Sequence, residues 1–414
     1  MEEAYELYAG LDWGSRSHQA CVLDHAGNVV DERAVEHSGS GIAELAQWLQ
    51  GLCDGDSTKL AVAIEIPHGA LVDTLVEQRF AVYSLNPKQL ERFRGRHSVA
   101  GAKDDRRDAH VLANSLRTDQ AAFQRVEGDD PSTLELRELS RTAEELKDEL
   151  NRLSNKLWAL LSRSWPGLLG LCPGANKPWL WRLLEVAQTP ERAAHLQRGS
   201  LERLLKEARV TKVKADELQD VLRQPPLRLA PGAGKAVSEH IALLLPRLQL
   251  TYRQKRECEK RIEELLAAAQ ATVGGRGEHR DVEVLCSFPG VGVGTAATML
   301  AEASRPLAQA NYRALRAQAG VAPVTHQSGV KLKTSMRYAC NPRLRNAVWY
   351  WALAAIRLDA RSSQRYAALR QKGRSHGSAL RCVADRLLYV LCVALRNGTT
   401  WDPARYQPQL AKIA

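Results

Sequence analysis

The stretch ELYAGLDWGS, residues 6–15, combines a dense run of apolar residues with a single internal aspartate. Apolar residues this closely spaced are typical of a strand at the centre of a sheet, where both faces are covered. Asp12 lies inside that run, and an unpaired carboxylate in an apolar strand costs free energy. The stretch therefore predicts a central strand, and it marks Asp12 as either a strand end or a residue with a functional partner.

The sequence that follows alternates between strand and helix patterns as far as about residue 125. HQACVLD, HAGN and VVDERAVEH predict a hairpin, and GIAELAQWLQGLC predicts a helix with one apolar face. KLAVAIEIP predicts another buried strand, which a helix in GALVDTLVEQRF follows. AVYSLN is the last predicted strand, and a helix is expected from about Asp104 to Leu116. This alternation predicts an α/β domain over residues 1–125.

Three further acids accompany Asp12 in this domain. Glu65 lies in the apolar stretch LAVAIEIPHG, and Asp105 and Asp108 are spaced i, i+3 in GAKDDRRDAH, on one face of a helix. Each acid has an ordinary alternative: a strand end for Asp12, an arginine partner for Glu65, and a solvated first helical turn for the aspartate pair. Hard cations such as Mg²⁺ take oxygen ligands, and two acids in buried strands beside an acidic helix favour a metal site.

Residues 126–280 have a different pattern. Between Leu136 and Leu160, apolar residues recur at alternating steps of three and four with charged residues between them, which is the heptad pattern of a coiled coil. A second long helix is predicted from about Lys235 to Ala271, and the Pro- and Gly-containing region between the two reads as an irregular helical insertion at the tip of an antiparallel arm. One long helix packed on its own domain would give the same pattern.

Residues 281–414 are predicted to form a compact, mostly helical domain. VLCSFPGVGVGTAATMLAEA has the pattern of a helix-hairpin-helix, whose glycines and helix N-terminal amides can receive a phosphate. A short glycine-rich turn inside a helical core has the same pattern. ALRCVADRLLYVLCVALRNG predicts a terminal amphipathic helix with Gly398 just past its end.

Composition indicates the class of partner. The net charge of the 414 residues is +11, and from Ala303 to Ala384 there are 15 Lys and Arg against one acid, Asp359. A basic block of that size with interspersed Trp favours nucleic acid over a membrane surface, because no apolar run reaches spanning length. The N-terminus lacks a secretory signal pattern, and the eight cysteines are scattered singly without metal-binding spacing. We therefore expect a protein of the reducing cytoplasm.

Three motifs in the first half carry a resemblance to a known family. GLDWGS, AIEIPHG and KDDRRDAHVLA resemble the Asp-Glu-Asp-Asp (DEDD) motifs of the one-ten family of insertion-sequence transposases, which includes the Piv-type invertases. The N-terminal domain of that family resembles RuvC, a Holliday-junction resolvase with a ribonuclease-H-like fold. This chain departs from the family pattern at Asp104, which stands where the family writes a threonine.

The second half resembles the same family. PGVGVGTAATMLAE, LRAQAGVAPVTHQSGVKLK and NPRLRNAVWYWA are similar to its C-terminal transposase domain, in which a Ser-Gly follows a Gly-x-x-Pro segment. That resemblance places the serine at Ser328. Here the departure is Cys340, which stands where many members carry a glycine before the residue that corresponds to Asn341.

The resemblance implies a catalytic mechanism and its residues. The metal ligands, for Mg²⁺ or Mn²⁺, would be Asp12, Glu65, Asp105 and Asp108. Ser328 would be a nucleophile that attacks a DNA phosphodiester and forms a covalent phosphoserine, in a site that combines acids and serine from different subunits. The basic neighbours that can hold phosphates by charge-assisted hydrogen bonds are Lys331, Lys333, Arg337, Arg343 and Arg345.

The resemblance also implies association with the bacterial nucleoid and a set of partners. These are the donor and target DNA, a structured non-coding bridge RNA whose loops pair with both DNAs, and further copies of the chain in a dimer or tetramer held by the coiled-coil arm. The abundant Arg and Lys, without an evident sequence-reading motif, are consistent with a protein that reads backbone and shape while RNA pairing reads sequence.

Two other functions fit part of the pattern. A RuvC-like junction nuclease that uses water needs the four acids and not Ser328. A non-catalytic nucleic-acid-binding protein with a coiled-coil arm needs neither the acids nor the serine. The retention of strand exchange after Ser328→Ala, or of function after Asp12→Ala, would separate these alternatives from a serine recombinase.

Overall fold

The computed structural model describes residues 5–85, 87–97, 104–230, 232–271, 278–329 and 331–403. The chain divides into two compact units, residues 1–130 and 131–414. Lys103, which the sequence places beside the predicted acids, lies outside the described residues.

The first unit is built on one six-stranded sheet in the order β3-β2-β1-β4-β5-β6. β1, β4 and β5 are parallel to one another, whereas β2, β3 and β6 run antiparallel to their neighbours. The strands are β1 (Leu7–Asp12), β2 (Ser17–Asp24), β3 (Val29–Glu36), β4 (Leu60–Ile64), β5 (Ala81–Ser84) and β6 (Gln124–Val126).

Helices cover both faces of this sheet. α1 and α2 pack on the face that carries Ala9 and Leu11, and α3 and α4 pack on the face that carries Tyr8. The helices are α1 (Gly39–Leu52), α2 (Ala70–Glu77), α3 (Pro87–His97) and α4 (Asp105–Thr118). The predicted α/β class is confirmed, and the predicted central strand is β1.

Gly10 sets the distance between α4 and the centre of the sheet. A Cβ atom at Gly10 would lie 2.0 Å from the Ala109 carbonyl oxygen and 2.5 Å from the Ala113 amide nitrogen, both on α4. Contacts that short do not occur, so only glycine permits this approach. The glycine thereby brings the N-terminal turns of α4 close to the end of β1.

The second unit is mostly helical, as predicted, and carries one two-stranded hairpin. The first helices are α5 (Pro131–Ser164), α6 (Gly167–Leu171), α7 (Pro178–Val186), α8 (Pro190–Ala194), α9 (Arg198–Glu207), α10 (Ala215–Arg223) and α11 (Ala233–Ala271). The remaining elements are α12 (Glu278–Ser287), α13 (Val293–Glu302), α14 (Ser304–Ala308), α15 (Tyr312–Gln318), β7 (Val324–Ser328), β8 (Lys331–Ser335), α16 (Pro342–Leu358), α17 (Ala360–Gln371) and α18 (His376–Asn397).

The heptad helix α5 packs against α11 of the same chain. Near its start, Leu136 shares a core with Ile262 of α11 and with α12, α13, α16 and α18. Near its end, Leu157 shares a second core with Leu245 of α11 and with the short helices α6 to α10. The two long helices therefore run antiparallel, and both contribute residues to the two cores. Packing against α11 of the same chain thus accounts for much of the heptad pattern of α5. Pairing between chains through this arm stays a prediction.

The Gly-rich segment of the second unit forms the short turn that joins helices α12 and α13. Gly290 has a positive φ of 85°, and a Cβ atom there would lie 2.9 Å from the Ala355 amide nitrogen on α16. The turn is thus fitted closely to a neighbouring helix of the core. At the other end of the unit, α18 ends at Gly398 in the left-handed conformation, as predicted. No helix in the described ranges is long and apolar enough to cross a membrane.

Candidate functional site

Two of the four predicted acids lie at one edge of the sheet because of strand register. Asp12 is the last residue of β1, and Glu65 directly follows the last residue of β4. The parallel register pairs Leu11 with Ile64, the residues that precede the two acids. Both acids are half-buried. Glu65 therefore lies just past the end of a strand and not inside one, and both carboxylates lie at the carboxyl ends of adjacent parallel strands.

Helix α4 supplies the other two acids. Asp105 is its first residue and is exposed, whereas Asp108, one turn later, is only 3% exposed. The N-cap is Asp104, whose carboxylate accepts a hydrogen bond from the Arg106 amide at 3.3 Å. The extra acid of this chain thus has a structural role, because an N-cap aspartate satisfies an amide that the helix leaves unpaired.

The electrostatics of Asp12 link the four acids. Burial, as the largest cause, and the negative charges of Asp108, Asp105 and Glu65 together raise the pKa of Asp12 to about 6, while Arg94 opposes the shift. Each of the other predicted acids therefore acts on Asp12 across the edge where β1, β4 and α4 meet. An excess of negative charge on neighbouring carboxylates is what a divalent cation would neutralise.

Arg94 on α3 is a functional candidate that sequence reasoning missed. Its Nη2 atom lies 2.6 Å from the Asp108 carboxylate, which is the only ion pair made by Asp108 among the described residues. Within the same residues, no three His, Cys, Asp or Glu side chains are grouped closely enough to hold a metal ion as they stand. The oxygen donors fit a hard cation in kind, and Arg94 supplies part of the compensating charge in this arrangement.

An aromatic cluster borders the acidic edge, and it was also missed. The Trp13 ring lies 5.0 Å from the His18 ring and 5.4 Å from the His37 ring, and His18 Nε2 and His37 Nδ1 are 2.8 Å apart. A Cβ atom at Gly69 would lie 3.0 Å from the Trp13 ring. Burial lowers the pKa of His18, and so does its proximity to His37. The alternation of side chains along β2 is the signal that could have placed His18 inside.

The predicted nucleophile lies at the tip of the hairpin in the second unit. Ser328 ends β7, is exposed, and faces Lys331 of β8 in the strand register. No described residue makes a hydrogen bond with its hydroxyl group. His326 occupies the same face of β7, because side chains two positions apart in a strand point the same way. The hairpin thus presents the hydroxyl to solvent, where a phosphodiester can approach it.

The five predicted basic residues differ in their surroundings. Lys333 is exposed on β8, and only the backbone pairing of Lys331 is described. Arg343 is occupied, since its Nε atom donates to Glu144 of α5 at 2.8 Å. Arg337 is half-buried, and its Nε atom has no acceptor among the described residues. Arg345 is also half-buried, and its Nη1 atom lies 4.0 Å from the Cys340 sulfur.

The buried carboxylate of Glu302 joins Arg141 of α5 to Asn341 at the start of α16. Sequence reasoning missed this residue. Glu302 accepts hydrogen bonds from Arg141 at 2.8 Å and from the Asn341 side chain at 2.7 Å. Asn341 also caps α16, so one network joins α5, α13 and α16. Burial would raise the pKa of Glu302, but the hydrogen bonds from Arg141 and Asn341 outweigh it, and the net shift in pKa is downward.

Comparisons with known proteins match both units. The family model for DEDD transposases of the IS110 type, described as a transposase, matches residues 9–166, and the model of the transposase IS116/IS110/IS902 family matches residues 282–367. The first match contains all four predicted acids, and the second contains Ser328 and all five basic residues.

Whole-chain relatives give the same result. A mini-circle putative transposase for IS117 from Streptomyces coelicolor is 30% identical over 100% of this chain and 99% of its own length. The IS110 protein of 43.6 kDa from the same organism is 27% identical over 96% of this chain and 95% of its length. A putative transposase, y4uE, from Sinorhizobium fredii is 44% identical, but the match spans 52% of this chain and 60% of that relative. The chain belongs to the IS110 family of transposases.

Proposed function

We propose that the chain is the DNA recombinase of an insertion sequence, and that it cleaves and exchanges DNA strands through a covalent phosphoserine at Ser328. A transposase family implies an enzyme that cleaves or transfers DNA. The observation that carries the proposal is that Asp108, Asp105 and Glu65, the other three acids of the DEDD set, all add to the effect of burial in raising the pKa of Asp12. Perturbed carboxylates gathered at one edge are typical of a functional site.

The acidic edge would hold the divalent cation, Mg²⁺ or Mn²⁺. DEDD transposases typically depend on a divalent metal. Asp12, Glu65, Asp105 and Asp108 supply the carboxylate oxygens, and Arg94 would have to release Asp108 for all four to be available. A bound divalent cation would supply charge stabilisation for the phosphate and for the leaving oxygen. The sheet order, with β1 between an antiparallel hairpin and two parallel strands, supports a RuvC-like assignment for residues 1–125.

The serine would carry the covalent step. The Ser328 hydroxyl loses its proton, its oxygen forms a bond to phosphorus, and the bond from phosphorus to the 3′-oxygen of the DNA breaks. The 3′-oxygen leaves with the electron pair and takes up a proton. A 3′-hydroxyl of the partner strand then attacks the phosphoserine, which restores the serine and joins the exchanged strands. Exposure of Ser328 at the hairpin tip supports this role, since a DNA backbone can reach it.

Further copies of the chain and a guide RNA complete the proposal. The arm of residues 126–280 would pair chains, so that the acids of one subunit act with the serine of another. A bridge RNA would select donor and target DNA, and the transposase domain of residues 281–414 would hold the nucleic acids by their backbones. To test the guide, we would purify the protein from cells that carry the element's flanking DNA and sequence the bound RNA. A structured RNA from that flank supports guidance, and its absence means direct recognition by the protein.

The covalent step has a direct test. Wild-type protein, together with the RNA that co-purifies with it, should give an adduct that survives denaturation when it is incubated with labelled element-end DNA and Mg²⁺, and Ser328→Ala should give none. Gln327→Ala is the matched control, because Gln327 is the exposed neighbour on the opposite face of β7, and it should retain the adduct. Strand exchange by Ser328→Ala at the wild-type rate would exclude the serine mechanism in favour of hydrolysis by water.

A further inference from the structure

A cavity of about 370 Å³ in the second unit lies between the base of the β7–β8 hairpin and the start of α18. Its walls are rich in arginine and hydroxyl groups, and hold one carboxylate, Asp385. The polar lining residues are Arg316, Thr334, Ser335, Arg337, Arg374, Ser378, Arg381 and Asp385.

The single carboxylate is already neutralised. Asp385 accepts two hydrogen bonds from Arg316, at 2.9 and 2.8 Å, and one from the Tyr312 hydroxyl at 2.8 Å. A carboxylate bound bidentately by one guanidinium has little capacity left for a second. The cavity therefore keeps the positive charge of its other three arginines.

Within the described residues, those three arginines have no strong acceptor. The side chains of Arg374 and Arg381 donate there only to sulfur atoms, at 3.4 Å in each case, on Cys382 and Met336. Sulfur is a weak acceptor, and the buried Nε atom of Arg337 has no partner in the described part of the chain. A buried donor without an acceptor, such as the Nε atom of Arg337, costs free energy, and a phosphate supplies acceptors in a geometry that matches a guanidinium. The unmet donors point to an anion.

A second cavity, of about 380 Å³, adjoins the first. The two share Arg381, Met336, Gly320 and Val321, and the second is lined further by the Trp349 ring, by apolar side chains and by Arg345. A phosphate-binding site next to an indole suits a nucleotide, because bases stack on aromatic rings whatever their sequence.

We propose that these cavities bind one nucleotide of a nucleic-acid strand, with its phosphate at Arg337, Arg374 and Arg381 and its base beside Trp349. The proposal deepens the function proposed above by naming a strand-holding site away from the nucleophile. Thr334 and Lys331, the partner of Ser328 in the register, are three residues apart on β8. Three residues of strand span roughly 10 Å, which separates Thr334 in the cavity wall from the register partner of the nucleophile.

The salt dependence of nucleic-acid binding tests the proposed phosphate contacts of Arg374 and Arg381. We would measure binding of the full chain to fluorescent DNA and RNA strands of one sequence between 50 and 200 mM KCl. Arg374→Gln and Arg381→Gln should each lower the slope of log K against log salt by about 0.7, the value for one phosphate contact on a single strand. Arg365→Gln, an exposed arginine of α17, is the charge-matched control and should change the slope by less than half of that. Equal loss in the control and the cavity variants would overturn the site.

The comparison of DNA with RNA identifies the bound strand, and Trp349→Leu tests the contact with the base. A larger loss on DNA assigns the site to the cleaved strand, and a larger loss on RNA assigns it to a guide. An abasic nucleotide at one position should weaken binding to the wild type and leave binding to Trp349→Leu unchanged, and a uniform effect at every position would overturn the base half. Arg374 is exposed, so its variant should fold normally even where Arg381→Gln does not. These measurements need no strand cleavage, and failure of the serine mechanism would leave them unaffected.

Discussion

At the scale of single residues, the ionised Asp12 carboxylate that a metal site needs lowers the stability of the metal-free protein. Its pKa is about 6 against an ordinary value of 3.8, because of burial and three neighbouring acids. The folded state holds the proton more tightly than the unfolded chain does. The stability that protonation contributes is therefore complete below about pH 4 and is lost as the pH rises through about 6. Above that pH, the ionised carboxylate destabilises the metal-free protein.

Asp12→Asn should therefore raise the stability of the metal-free protein at pH 7.5 while abolishing strand cleavage. A shift of two pKa units corresponds to about 3 kcal/mol, and solvent screening of a half-buried group reduces the expected gain to about 1 kcal/mol. Thermal unfolding at pH 7.5 and pH 4 measures the gain, which should vanish at the lower pH. Mg²⁺ should raise the melting temperature of the wild type and not of the variant. A lower melting temperature for the variant at pH 7.5 would contradict the electrostatic account.

Gly10 is the residue on which the approach of α4 to β1 depends. Gly10→Ala would place a methyl group within 2.0 Å of the Ala109 carbonyl oxygen, so α4 must move away from the sheet. We expect a loss of about 2–4 kcal/mol in unfolding free energy and loss of cleavage, because Asp108 moves away from Asp12. Gly51→Ala is the control, since nothing lies within 4 Å of a Cβ atom there and Gly51 is helical. Chemical denaturation should show the control unchanged or more stable by up to about 1 kcal/mol.

At the scale of elements, the junction of α5, α13 and α16 depends on one buried acid. Arg141 contacts two glutamates, Glu302 at 2.8 Å with a side chain 5% exposed and Glu138 at 3.8 Å with a side chain 76% exposed. Glu302→Gln should cost about 2–4 kcal/mol, because it leaves a partly buried guanidinium without its counter-charge. Glu138→Gln should cost less than about 0.5 kcal/mol, since exposed ion pairs contribute little. Similar losses in urea denaturation for both variants would show that burial does not decide the contribution.

The same scale shows which elements the sequence could predict. β1, the β2–β3 hairpin, β4, β5 and α1 follow from apolar periodicity, and α4 and the two long helices were placed within a few residues. β6 has three residues with little burial and no periodic pattern, so it was missed. α3 was missed because its eleven residues are polar on average and, among the side chains that the structure describes, only Leu90 and Phe93 are buried. Short or polar elements are fixed by tertiary contacts, which a periodicity pattern does not contain.

The residues of the candidate site also fall into two groups, those that the sequence predicted and those that only the packing of elements brings together. The pattern of acids in apolar strands and at a helix start indicated the four acids, and the resemblance to the transposase family placed the serine. Arg94 pairs with Asp108 from a different helix, and Glu302 meets Arg141 across 161 positions of sequence. Such pairs depend on how elements pack, and no local signal marks them. Arg343 is the opposite case. The basic block predicted that it would hold a phosphate, but its guanidinium donates a hydrogen bond to Glu144.

At the scale of the whole molecule, the chain places its acids and its serine in different compact units. Asp12 belongs to the unit of residues 1–130, and Ser328 belongs to the unit of residues 131–414. A chain of this kind can complete its site from its own two units or from units of two subunits in a symmetric assembly. These arrangements differ in what a mixture of two inactive variants can do.

Asp12→Asn and Ser328→Ala proteins, each inactive alone, should recover adduct formation when they are mixed and allowed to exchange subunits. In a symmetric dimer, half of the mixed population is heterodimeric, and one of its two sites has an intact acid set and an intact serine, so we expect roughly a quarter of the wild-type adduct. A size tag on the Asp12→Asn subunit identifies the attached serine, and the DNA should be linked to that subunit alone. Mixing Asp12→Asn with a chain that carries both substitutions is the control and should give no adduct. If subunits exchange and the first mixture also gives none, the acids and the serine of one chain act together, and the arm is not required to complete the site.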